Sequence, residues 1–328
     1  MENLTNANLI VSLCKFTTAD TNVENFKHLY ADDTSGFFKS IQFPHCNLVK
    51  QDSNSFSLPK GFSTDGVTFG SESTSDCKPD SENLQIHERL VIKEPTDLKD
   101  QKFVYITKEE NGGAIVGDKV NFTLTNCKFE SCRGGQYGGA VYVHYTGSQD
   151  TFACTISGSQ FIKCSCKTQG GAIYVQNTQS NRHSVTITNC KFISNSAEDN
   201  GGAIYAETRD RFTLKDCEFE NNIATNEGYS LWCRIGWESN YHNNVATIEN
   251  NKFAFAPGDK NPINVYILAY PLLADATPNA NLVFGSCTFS STNKKQTGFK
   301  HLTVTNYKSQ FESLNFTSCS CIEQGNTT

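Results

Sequence analysis

Two motifs that recur about every 30 residues, in a chain with no helical periodicity, predict an all-β protein wound into a right-handed parallel β-helix of about ten or eleven coils. The first motif is a glycine pair feeding a short apolar run. It reads "NGGAIVGD" from Asn111, "YGGAVYVH" from Tyr137, "QGGAIYVQ" from Gln169 and "NGGAIYAE" from Asn200. The second is apolar-x-apolar-x-x-[Cys/Ser/Asn]-x-Phe-x-x-[Asn/Cys], complete in "VTITNCKFISN" from Val185 to Asn195. Its phenylalanines are Phe129, Phe161, Phe192, Phe219, Phe253, Phe289 and Phe316, in steps of 32, 31, 27, 34, 36 and 27 residues. Phe16, Phe43 and Phe69 are weaker copies, and the gap from Phe69 to Phe129 leaves room for one degenerate coil at about 75–110.

A 30-residue unit of short β-branched strands and Asn/Ser/Gly joints cannot bury its own apolar face, so it must stack on copies of itself. Leucine-rich repeats need a leucine–asparagine frame and propeller blades need about forty residues each, so neither fits. The expectation is one domain, 1–328, with its clearest repeats at 112–255. At a strand spacing of ~4.8 Å, ten or eleven coils would extend roughly 50 Å.

Successive strand side chains point to opposite faces, which sorts the columns by parity. In the glycine strand, Ile115, Val141, Ile173, Ile204, Leu231 and Val265 form one inward column; Gly117, Val143, Val175, Ala206, Cys233 and Ile267 form a second. Ala114, Ala140, Ala172, Ala203, Ser230 and Asn264 are expected to point out, as are Asp118, His144, Gln176, Glu207 and Arg234. The glycines supply a permissive bend with no Cβ to clash with the coil below. In the phenylalanine segment, Cys190 and Phe192 should face inward with Cys217 and Phe219 one coil along, while Lys191, Glu218 and Lys252 stack outside with alternating charge. Three residues after each phenylalanine, Cys132, Cys164, Asn195, Asn222 and Cys319 are placed to bond turn backbone.

Composition narrows the function classes. The net charge of −6 and the absence of a Lys/Arg-rich run give no footprint for nucleic acid or anionic lipid. No stretch is long and apolar enough to span a bilayer, and "MENLTNANLIVSLCKF" lacks the features of a secretory signal. The reading is therefore cytoplasmic for the chain as written, or cell surface if it is a fragment of a longer protein. The 14 cysteines read as buried thiols, and the sequons at Asn3, Asn121, Asn315 and Asn326 matter only after secretion.

The pairing of GGA-[Ile/Val/Leu], in full copies over residues 112–206, with Phe-x-x-Asn at Phe192–Asn195 and Phe219–Asn222 resembles the repeats of the chlamydial polymorphic outer membrane proteins and related protist proteins, within the wider pectin lyase-like β-helix group. The resemblance implies a surface adhesin or passenger domain.

Enzymes on such a fold need aligned carboxylates or an acidic metal set. Residues before the glycine pairs keep no carboxylate in register, so the expectation is a non-enzyme without cofactor or catalytic residues. Cys132, Cys164 and Cys166 could converge as thiolate ligands, but core thiols account for them without a metal, so no metal is expected. Tyr142, Tyr174, Tyr205, Trp232 and Tyr266 form an outward aromatic column, with Arg234, Trp237 and Tyr241 beside it. The expectation is an exposed strip binding a protein or carbohydrate ligand on a rigid, adhesin-like or structural rod. The alternatives are a polysaccharide lyase or glycoside hydrolase on the same fold, and an intracellular assembly subunit. No nucleic acid and no membrane insertion is expected.

Overall fold

The computed structural model describes residues 85–145, 151–177, 183–208, 211–236, 244–255, 263–269, 280–291, 299–306 and 311–322, together with seven short strands before residue 85. The chain divides into two units, Met1–Leu84 and Gln85–Thr328. In the first, parallel pairs join Ala7–Ile10 to Phe38–Gln42, Cys46–Val49 to both Lys15–Phe16 and Val67–Gly70, and Leu29–Tyr30 to Phe56–Ser57. The register sets Phe16 opposite Leu48, which lies opposite Phe69; Phe43 falls outside the described residues.

The second unit is a right-handed parallel β-helix. Among the described residues its coils pass in turn through three long parallel sheets, of eight, eight and nine strands, and three coils add a short strand each to a fourth. The first holds the glycine motif, as in Ile204–Thr208. The second carries outward threonines, as in Ser184–Thr188, and the third holds the phenylalanine, as in Lys191–Ile193. No helix occurs among the described residues. Single residues in the left-handed region turn the corners. Asn189 (φ 53°) and Asn250 (φ 57°) do so between the threonine and phenylalanine sheets, where a short polar side chain tolerates that conformation.

Register is unbroken where the repeats are clearest, and like stacks on like. Phe129, Phe161, Phe192, Phe219 and Phe253 are buried, with neighbouring ring centroids 4.7–4.9 Å apart. Cys190 and Cys217 are buried on adjacent coils, as their spacing predicts. The corner ladder is also as expected at four positions. Asn222 Nδ2 donates to the Phe192 carbonyl and its Oδ1 accepts from the Asn195 amide, while Cys132 and Cys164 thiols donate to the carbonyls of Phe103 and Phe129.

Three placements differ from the sequence reading. Residues 85–104 form a regular coil, in which Phe103 stacks 4.9 Å from Phe129; the 26-residue step and the missing glycine pair conceal it. Phe316 is not a rung of the phenylalanine sheet. It lies opposite Phe284 in the threonine sheet, and Cys321 takes the place opposite Phe289, so Cys319 falls outside the corner ladder. The column Ala114, Ala140, Ala172, Ala203, Ser230 and Asn264, expected outside, is fully buried. It sits where the turn enters the strand, and there two successive residues face the interior.

Candidate functional site

The glycine sheet carries the aromatic column, and its geometry starts with the glycines. The first of each pair has φ near +70°, as at Gly201 (+67°) and Gly170 (+73°), which a side chain rarely adopts. The second has no space: a Cβ on Gly171 would overlap the carbonyls of Gly202 and Ser196. The turn so formed folds over the base of the strand that follows. A Cβ on Gly201 would contact Tyr205, and one on Gly228 would contact Trp232.

Beneath these turns the predicted column forms a ladder. Ring centroids are 5.4 Å apart for Tyr142–Tyr174, 5.2 Å for Tyr174–Tyr205, 4.4 Å for Tyr205–Trp232 and 6.2 Å for Trp232–Tyr266, all stacked. Tyr137 adds a further ring 4.7 Å from Tyr174. The ladder forms a cluster of its own, separate from the core inside the coils.

Its exposure corrects the sequence reading. Tyr174 and Tyr205 retain 4% of their surface and Trp232 retains 7%; only Tyr142 and Tyr266, at the ends, are partly exposed. Each inner ring is covered on both faces by its neighbours and at its base by the glycine turn. Parity fixes which side of a strand a ring leaves from, and says nothing of what folds over it. Burial raises the Tyr174 and Tyr205 phenols well above the ordinary tyrosine value.

The neighbouring outward column holds the charge. Glu207 Oε1 accepts from the Tyr205 hydroxyl at 3.1 Å and from Arg234 Nη1 at 3.3 Å; Oε2 accepts from Gln176 Nε2 at 3.3 Å. Glu207 and Arg234, expected to point out, pair between adjacent coils and are largely buried, with side chains 11% and 14% exposed. His144 Nδ1 lies 2.9 Å from Asp118 Oδ1 one coil earlier, and Trp232 Nε1 donates to Glu227 at 3.4 Å. The sequence signal for this network was the alternation of acid, amide and base in one column; its burial had no signal. Trp237 and Tyr241 lie outside the described residues.

Chemically, this face offers a rigid aromatic wall with a hydrogen-bonded rim of mixed charge. The inner ring faces are engaged with each other and are closed to stacking on a sugar. Both Glu207 oxygens are already in use by neighbouring donors. Cys132 and Cys164 share one column, their thiols bonded to backbone carbonyls, with Cys166 buried two residues on. Burial pushes the Cys164 thiol well above its usual range and the Cys166 thiol up to about 12. Among the described residues no three His, Cys, Asp or Glu side chains converge as a metal set.

Residues 189–207, from the phenylalanine motif into the glycine strand, match the model of the Chlamydia polymorphic membrane protein repeat. No curated protein and no solved structure matches the chain.

Proposed function

We propose that the chain is a non-enzymatic interaction rod of the adhesin type, and that it offers the outer rim of the glycine sheet to a protein partner. The observation behind this reading is the ladder itself. The strands that carry Tyr142, Tyr174, Tyr205 and Trp232 carry His144, Gln176, Glu207 and Arg234 two residues on, in one continuous column that Asp118 extends one coil earlier, so little side-chain freedom is lost when a partner docks. A protein is favoured over a carbohydrate because the inner ring faces are occupied. The match to a Chlamydia membrane-protein repeat supports display at a cell surface.

The test compares wild type with the His144→Ala/Gln176→Ala variant, which leaves every ring in place. Labelled protein is titrated onto intact cells, and also incubated with a panel of polysaccharides. The expected result is saturable cell binding, weakened about tenfold or more in the variant with little change in melting temperature. Equal binding by the variant would remove this face from the reading. New reducing or unsaturated ends in the panel would replace it with an enzyme.

A further inference from the structure

The last three described strands of the second unit, Lys300–Asn306, Phe311–Thr317 and Ser320–Ile322, each stand at the end of a sheet. Among the described residues nothing pairs with their outer edges. In the preceding coil Leu282 and Phe284 are fully buried, whereas their register partners Leu314 and Phe316 are 45% and 47% exposed. Leu302 and Val304 of the glycine sheet are also only partly covered. An apolar cross-section bounded by unpaired strand edges is a template for more strand.

The backbone shows which groups are free. Ser286 N donates to the Thr317 carbonyl at 2.8 Å, so Thr317 directs its polar groups to the coil behind. Successive residues of a strand alternate in this respect, so Ser313 and Asn315 do the same, while Leu314 and Phe316 turn their N–H and C=O outward.

We propose that this end binds a second copy of the chain, end to end, about a two-fold axis passing through Asn315. The strand Phe311–Thr317 is self-complementary when reversed about that residue. Leu314 then lies opposite Phe316 of the second copy, and Ser313 opposite its Thr317. Asn315 meets its own equivalent. Apolar side chains meet inside, amides and hydroxyls meet outside, and no like charges oppose one another. Glu312, the one charged residue of the strand, lies beyond this stretch and accepts from Asn281 at 3.1 Å. The hydrogen-bond pattern agrees with the side chains. Leu314 and Phe316, whose polar groups face outward, become the hydrogen-bonded pairs, and Asn315 the intervening non-bonded pair, as antiparallel strands require. The same rotation lays the last glycine strand over the last phenylalanine strand of the second copy, so all three edges close together. An isologous contact of this kind stops at two copies.

Sedimentation of the full chain over a range of concentrations should show a monomer–dimer equilibrium, and Phe316→Lys should be monomeric throughout. Because that change could unravel the last coil, a second variant leaves the apolar residues intact. Asn315→Cys, with Cys319→Ser and Cys321→Ser, is treated with a mild thiol oxidant. Opposed non-bonded residues lie about 4.5 Å apart between Cα atoms, within disulfide reach, so a covalent dimer should form. Thr247→Cys, two coils back in the same column, should give none in the same background. A wild-type monomer at every concentration, a dimer unaffected by Phe316→Lys, cross-linking no greater at 315 than at 247, or open-ended polymers would each overturn the two-fold contact.

Discussion

The β-helix of the second unit carries two aromatic ladders, one inside the coils and one outside. Inside, Phe103, Phe129, Phe161, Phe192, Phe219 and Phe253 stack with centroids 4.7–4.9 Å apart, and outside Tyr174, Tyr205 and Trp232 stack at 5.2 and 4.4 Å. Ring spacing barely distinguishes them, because both follow from parallel strands about 4.8 Å apart in exact register. What differs is the cover. The inner rings are enclosed by three sheets, and the outer ones by a glycine turn at the base and a polar rim at the edge. A column of rings is thus what register alone produces when one aromatic residue is repeated, and is no sign of a ligand. In the proposed reading the contact surface is therefore the polar column beside the outer ladder, not the rings themselves.

The largest effect should come from the inner ladder. Phe192 is fully buried between Phe161 and Phe219, and Ala at this position leaves a cavity between two coils that cannot collapse without losing register. Phe192→Ala should cost roughly 3–5 kcal/mol, read as a shift of the denaturant midpoint. A loss under about 1 kcal/mol would mean that the core does not depend on this stack.

The outer ladder comes next, and it separates scaffold from contact surface. With Tyr205 and Trp232 only 4% and 7% exposed, their joint replacement by Ala should destabilise the fold by roughly 2–4 kcal/mol. If this variant melts like wild type, the rings are not covered as described, and the expectation of an exposed strip returns. If it is destabilised while His144→Ala/Gln176→Ala keeps its stability and loses binding, the ladder is the support and the rim the contact.

The inner ladder was legible in sequence because strict alternation and a recurring Phe at 27–36 residues leave one way to stack, and the fold class follows from that alone. Register was also legible for charge: Lys191, Glu218 and Lys252 do stack with alternating sign, at 3.0 and 2.9 Å. Corners were not. At the entry to the glycine strand the backbone leaves the two-residue period, so the alanine column moved inside. In the final coil the apolar-x-apolar spacing of "LNF" imitates the motif one strand too early, so Phe316 reads as a rung of the phenylalanine sheet although it lies opposite Phe284. Exposure outside the coils was the least legible property, because it depends on a turn folding back over the strand it precedes. Cys and Asn both serve in the corner ladder for a readable reason: each donates to a carbonyl of the preceding coil, as Cys164 does to Phe129 and Asn195 to Phe161.

The smallest effect belongs to that charged column, and it tests register without touching either ladder. Glu218 accepts from Lys252 and Lys191, and these two ammonium groups hold its carboxyl below the usual glutamate value. A carboxyl whose folded value is depressed adds stability that is present above its unfolded value and lost as pH falls through the folded one. The loss should therefore begin below about pH 4–5. Its size is limited, because Glu218 is 43% exposed and the lysines 53% and 70%, so solvent screens both pairs. Glu218→Gln should cost about 0.2–1 kcal/mol at neutral pH and low salt, shrinking in concentrated salt and vanishing at low pH. The measurement is the difference in unfolding free energy between wild type and variant across pH and salt. A difference that persists at low pH would point to packing rather than charge. A stabilised variant would mean that the three side chains do not stack on one face, and would break the shared register on which both aromatic ladders depend.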